Sequence, residues 1–525
     1  MSIVKIPLSI KEMKRRSFLK TSSLTALLPW TLNGLGARAF GQDSSAFLNA
    51  LGTTADASDR VLVVIQLNGG NDGLNTVIPL DQMGMYQKIR ANIAIEEAKV
   101  LKLRYREQAG LHPSLKGFQD LYNDGRLSII ENVGYENPSF SHFQANDIWF
   151  KGDSTPNDTT SGWLGRYLEE RYAGYPEGYP NAQMPDPLAI QISAVASTAL
   201  LGPKQSVALA IQDVDTFARL IGEKPAAPSS ANLNALASDY VDFVRSQQTL
   251  SVAYADQLKA AATKGSTGAN YPAGNRLADQ LKVVSRLIKG GLRTKVYYVT
   301  LGGFDTHANQ LILHNNLLTQ LGEATKAFLD DLKTSKLDNR VVGMTFSEFG
   351  RRAYSNGSAG TDHGWASPQF VFGHGIKTQF IGNSPDLNNL VKNNIAIEHD
   401  FRQVYASLLR DWFEVDEATV RRVMLGGDYE VVPIFRETIT AAEPLSELVA
   451  LYPNPATTEA RLVWPVGEEL KNIELVDLSG RVQTVPVQLL ESNKLVLDLR
   501  RVQRTHYVVK LQTTRSEYSR KLIVQ

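Results

Sequence analysis

Two short motifs set hard and borderline metal ligands side by side: Asp305-Thr306-His307 and Asp362-His363-Gly364. Each places a carboxylate and an imidazole on one turn of chain. A further acid, Asp72, lies in Asn68-Gly69-Gly70-Asn71-Asp72-Gly73-Leu74-Asn75, and Glu348 opens Glu348-Phe349-Gly350-Arg351-Arg352. The chain has no cysteine, so thiolate metal sites, iron–sulfur clusters, disulfides and a cysteine nucleophile are excluded. A divalent ion must then be held by Asp, Glu and His, a donor set suited to zinc, manganese, magnesium or calcium. No organic cofactor is expected. Taken singly, an Asp-Gly or loop His is more often a turn or capping residue. Three clusters in similar positions favour a metal site.

Ser141, in Ser141-His142-Phe143, has two readings. It is a natural N-cap for the helix that follows. It is equally a hydroxyl nucleophile at a helix N-terminus, where backbone N–H groups and the dipole favour a phosphate or sulfate. Ser139 is the neighbouring alternative. Arg351 and Arg352 could clamp an anion bidentately, or pair with Glu348 or with surface acids.

These motifs must be positioned by the elements that precede them. Val61–Leu67 is a continuous apolar run rich in β-branched residues, the pattern of a buried parallel strand, and it empties into the Asp72 loop. Similar runs at 127–133, 295–301 and 340–346 empty into the Ser141, Asp305/His307 and Glu348 segments, and 369–372 ends the set. Helical spacing appears at 115–123, 275–289 and 311–333. Alternating strands and helices predict an α/β fold with a doubly wound, mostly parallel sheet, whose ligands lie beyond the carboxyl ends of its strands. Loop-like stretches at 223–233 and 264–274 bracket a helical segment at 234–262, read as packed over the sheet within an insertion of about 212–290.

The two ends differ from the middle. Of the 525 residues, 1–39 carry a net charge of +6, 448–525 a net of +3 and 40–447 a net of −8, so the overall +1 hides an acidic body. Such a body lacks the basic field that nucleic-acid binding needs. Residues 13–20 read Met-Lys-Arg-Arg-Ser-Phe-Leu-Lys, and an apolar stretch and Ala37-Arg38-Ala39 follow. That layout resembles a twin-arginine export signal. The apolar run has about 13 residues against the ~20 that span a bilayer, so no transmembrane segment is expected in the mature chain. After 447, short alternating strands predict a small antiparallel β-sandwich. With Tyr452-Pro453-Asn454-Pro455, the Asp477…Gly480-Arg481 turn and the Lys521-Leu522-Ile523-Val524 end, it resembles the C-terminal sorting domain of the type IX secretion system of Bacteroidota.

Across about 59–415, the Asp72, Ser141, Asp305/His307, Glu348 and Asp362/His363 motifs, with Leu111-His112-Pro113 and Gln310, resemble the family called domain of unknown function 1501. That family is in turn similar to the alkaline phosphatase–sulfatase superfamily. The second resemblance implies two divalent metals gripping a phosphoryl or sulfuryl centre. Asp72, Asp362 and His363 would hold one metal, and Asp305, His307 and either His399 or Glu348 the other. Ser141 would attack and Arg351 would offer charge to the anion.

The expected organisation is a signal at 1–39, a linker at 40–58, an alkaline phosphatase-like domain at 59–435, a linker at 436–447 and the sorting domain at 448–525. The expected protein is exported by the twin-arginine and type IX machineries, through the periplasm to the cell surface or beyond. There it hydrolyses an anionic phosphate or sulfate ester. The rival expectation is a surface-displayed binding or structural protein with a degenerate hydrolase fold. A peptidase is disfavoured, since neither H-E-x-x-H nor G-x-S-x-G occurs.

Overall fold

The computed structural model describes residues 59–155, 159–203, 207–212, 254–265, 269–377, 379–435, 450–464, 468–477, 481–491, 493–514 and 517–525. The export signal and most of the expected insertion lie outside the described residues. The chain divides into two compact units, the first ending at Arg436 and the second starting at Glu437.

The first unit is built on a nine-stranded sheet: β1 (Val61–Asn68), β2 (Leu127–Gly134), β3 (Ala189–Ile192), β4 (Leu209–Ile211), β5 (Val296–Gly302), β6 (Val341–Phe346), β7 (Ser367–Gly373), β8 (Phe380–Ile381) and β9 (His399–Asp400). Their order is β8-β2-β7-β6-β1-β5-β3-β4, with β9 also paired to β2. Among the described strands of this sheet, only β7 runs antiparallel to its neighbours. The sheet is therefore the mostly parallel α/β arrangement read from the sequence.

The unbroken apolar run of β1 has a physical cause. Val61, Val63, Ile65 and Leu67 enter one core, and Leu62 and Val64 enter the core on the opposite face. A strand covered on both faces cannot alternate apolar and polar residues. The first face is covered by α1 (Lys116–Asn123), α4 (Arg276–Lys289) and α5 (Gln310–Thr334), and the second by α2 (His142–Lys151), α3 (Trp163–Arg171) and α6 (Phe401–Ser407). On α5, Leu317, Leu318, Leu321, Ala324, Phe328 and Leu332 repeat at helical spacing and are buried.

The helix Arg276–Lys289 stands where helical spacing was read at 275–289, as one of the helices that alternate with the strands, although the bounds of about 212–290 expected for the insertion include it. Leu277, Leu281, Val284, Leu287 and Ile288 are core residues, and the helix leads directly into β5. Its start is capped by Asn275, whose side chain accepts from the N–H groups of Leu277 and Ala278 at 3.1 and 3.0 Å.

The second unit has two four-stranded antiparallel sheets: 450–452, 459–463, 494–498 and 487–491 in one, and 482–483, 470–477, 506–513 and 517–523 in the other. Leu462, Trp464, Leu475, Leu497, Tyr507, Val509 and Leu522 fill one core of its own. No helix among the described residues is long and apolar enough to cross a membrane.

Candidate metal centre

β1 lies between β5 and β6, so the loops that leave these three strands meet at one edge of the sheet. β2 points the same way, because β7 is antiparallel to both β2 and β6. Close approach depends on glycine. A Cβ on Gly69, which has φ +126°, would sit 2.3 Å from the Asp305 nitrogen, and one on Gly360 would sit 2.2 Å from the His307 carbonyl carbon. A two-residue antiparallel ladder then pairs Gly350 with Gly364 and Arg351 with His363.

The result is three imidazoles around one carboxylate. The Nε2 atoms of His142, His307 and His363 lie 3.5, 3.0 and 3.1 Å from the Asp305 carboxylate, and those of His307 and His363 are 3.0 Å apart. Each Nδ1 faces an acceptor. His142 Nδ1 is 2.8 Å from Glu348 Oε1, His363 Nδ1 is 2.8 Å from the Phe140 carbonyl, and His307 Nδ1 is 3.5 Å from Asp362 Oδ1. For His142 and His363, hydrogen bonding of Nδ1 to these acceptors places the ring proton on Nδ1 and turns the Nε2 lone pair inward, while His307 makes only the longer contact to Asp362. Inward lone pairs beside a carboxylate are mutually repulsive without a cation among them. The same orientation, Nδ1–H to an acceptor and Nε2 to the centre, is how metal-binding histidines are held. The ligand atoms of His142, Asp305 and His363 all lie within 4.8 Å of one another. The residues thus fit a divalent ion bound by nitrogen and oxygen.

Electrostatics agree with this geometry. Burial acts to raise the Asp305 pKa, but the Arg351 guanidinium, through its hydrogen bond and its charge, helps overcome it and hold the carboxyl at about 2. Glu348 raises the pKa of His142 through its hydrogen bond, whereas burial lowers that of His363.

Several residues expected at the site do other work. Asp72 is not in the cluster. It is buried, its Oδ2 lies 2.5 Å from Arg90 Nη1, and it accepts from the Gln310 amide. Burial pushes its pKa up, yet Arg90 outweighs this and keeps it low. Glu348 stands behind His142 and accepts the Gly69 N–H at 2.9 Å, so it holds the His142 ring rather than facing the centre. Asp362 is half-exposed at the rim, beside His307 and Asn356. His399 lies on β9 next to β2, and its Nε2 is 4.0 Å from Glu398. Arg351 is fully buried. Its guanidinium donates to the carbonyls of Gly69, Gly70, Phe304 and Thr361 and to Asp305 at 2.7 Å. An arginine so engaged has no free edge for an anion.

Ser141 caps α2 in an extended conformation, and its side chain makes no capping bond. It lies between Phe140, whose carbonyl orients His363, and His142 itself. Ser139 Oγ donates to Gln144 at 3.0 Å and accepts from the Ser141 N–H at 3.2 Å, which shapes the turn. His142 is not among the residues that the sequence motifs nominate, and only the fold brings its imidazole to Asp305 and His363.

The fold is similar to that of a protein in the alkaline phosphatase superfamily from Vibrio parahaemolyticus, with 9% identity, 88% of this chain and 79% of that chain covered, and a TM-score of 0.30. It is also similar to the lipoteichoic acid synthase LtaP from Listeria monocytogenes, with 9% identity, 69% and 73% covered, and a TM-score of 0.29. For the alkaline phosphatase from the Antarctic bacterium TAB5 the values are 9%, 70% and 99%, and 0.28. Likeness at this level carries no argument about activity. No curated protein matches the chain. Residues 450–525 match the secretion system C-terminal sorting domain, which marks the chain for export to the cell surface or the extracellular space and implies the type IX secretion machinery as a partner. Residues 59–411, with every member of the histidine–carboxylate cluster among them, match the family described as protein of unknown function (DUF1501), and the chain belongs to that family.

Proposed function

We propose that the protein is an exported metal-dependent hydrolase of phosphate or sulfate esters with Ser141 as nucleophile. One observation carries this reading: the Nε2 atoms of His142, His307 and His363 surround Asp305, and Ser141, whose hydroxyl makes no capping bond, immediately precedes His142 in the chain. A divalent ion in such a site polarises an ester oxygen and lowers the pKa of a nearby hydroxyl. Asp305 supplies negative charge to the centre, and Glu348, Asp362 and the Phe140 carbonyl hold the rings in register. The Ser141 Oγ forms a bond to phosphorus or sulfur as the alcohol leaves, and water then releases the acid. The first N–H groups of α2 face the same end of the helix and suit an anion. Passage through the twin-arginine route, using residues 1–39, belongs to the same proposal.

The test is turnover of aryl phosphates and aryl sulfates by the purified, metal-loaded chain. Ser141→Ala is expected to lower turnover about 1000-fold with metal content unchanged. No turnover of either ester class by the wild type sinks the hydrolase reading. A binding protein without catalysis is the second reading, and the full engagement of Arg351 favours it, since that arginine is spent on the protein itself.

A further inference from the structure

We propose that the chain binds one metal ion rather than two, and that the guanidinium of Arg90 balances Asp72 where a second ion would otherwise be required. The inference rests on the metal reading above and sharpens it. Arg90 and Asp72 are both fully buried, with their charged atoms 2.5 Å apart. Arg90 cannot swing away to admit an ion. Its Nε donates to the Ala353 carbonyl at 2.8 Å, Nη2 to the Arg352 carbonyl at 2.8 Å, and Nη1 also to Asn75 Oδ1 at 3.0 Å. A divalent ion on Asp72 would lie beside a fixed positive charge in a medium that screens poorly.

The atoms left over around Asp72 point the same way. Asp72 Oδ1, Asn71 Nδ2 and His314 Nδ1 are buried without a partner. His314 Nε2 is 3.0 Å from Asn71 Oδ1, which makes Nε2 the donor and leaves Nδ1 an acceptor. The orphans are thus two acceptors and one donor. A water satisfies such a mixture, whereas an N–H group repels a cation. No ligand atom of His314 or His112 joins Asp72 in a group of three, while His142, Asp305 and His363 do form one.

The buried pair also has a positive role. Asp72 accepts from the Gln310 amide, and Gln310 Oε1 accepts from the hydroxyls of Thr306 at 3.1 Å and Thr361 at 2.6 Å. Thr306 lies between Asp305 and His307, and Thr361 precedes Asp362-His363. Arg90 and Asp72 therefore act as positioning residues beneath both ligand loops.

The experiment is metal stoichiometry on the full chain. The protein is stripped with a chelator, reloaded with zinc or manganese, dialysed and measured by elemental analysis and titration calorimetry. One ion per chain is expected in the wild type, still one in Asp72→Asn, and fewer than about 0.1 in His363→Ala. Two ions in the wild type, with one lost in Asp72→Asn, overturn the proposal. No ion in the wild type overturns the metal reading itself and with it this one, so the two failures look different. The wild-type count decides the question even if Asp72→Asn does not fold.

Discussion

Asp305 and Glu348 are both carboxylates at the same sheet edge, yet they carry different tasks. Asp305 is half-exposed and faces three imidazoles, and Arg351 keeps it ionised. Glu348 is completely buried and spends its oxygens on His142 Nδ1 and the Gly69 N–H. A ligand-orienting carboxylate of this kind fixes the ring and raises its basicity. Glu348→Gln is therefore expected to weaken zinc affinity about 10- to 100-fold while one ion per chain still binds at saturation. Titration calorimetry checks this. An unchanged affinity would remove Glu348 from the site's support. Residue types in the sequence were enough to nominate Asp305, His307 and His363. They could not separate a ligand from its supporter, because both need the same carboxylate, and only the direction of each lone pair tells them apart.

At the scale of elements, the strand-end loops are held by backbone contacts that side-chain patterns do not announce. Arg351 ties the loops after β1, β5 and β6 together through four carbonyls, and two glycines allow the approach. The strand pattern predicted β1, β2, β5 and β6 because apolar runs covered on both faces are unmistakable. The helix Arg276–Lys289 was legible in its apolar spacing, but the limits of the insertion before it were not, since a buried crossover helix and a helical insertion share one amphipathic period.

Strand β2 also carries a liability. Glu131 is buried, with its Oε1 unpaired, and desolvation, with Glu398 adding its charge, pushes its pKa up to about 8. The unfolded chain loses this proton near pH ~4.3, whereas the folded chain keeps it until pH ~8. Stability should then fall as pH rises between those values, because the folded state binds the extra proton. Glu131→Gln removes that slope, which is at most about 1.4 kcal/mol per pH unit. Urea midpoints at pH 5, 6.5 and 8 measure it. Parallel slopes for variant and wild type would show that Glu131 ionises freely in the fold.

For the whole molecule, the division into two units follows from their separate cores. Deleting 450–525 is expected to abolish delivery to the surface and medium while the urea midpoint of the α/β unit stays unchanged. Cell fractionation and unfolding curves read the two effects, and a surface-exposed truncated chain would contradict the sorting role. The charge arithmetic fits this division, with the basic C-terminal tag set against an acidic body of −8 across 40–447. Composition, periodicity and local motifs determined the α/β class, the tag and the oxygen-and-nitrogen character of the site, because each is written in neighbouring residues. What tertiary structure alone decided is who faces whom. Arg90, 18 positions from Asp72, neutralises it, and His142 meets Asp305 and His363 across the sheet edge. Those partnerships arise from the order in which strands pair, and no local stretch of sequence encodes that order.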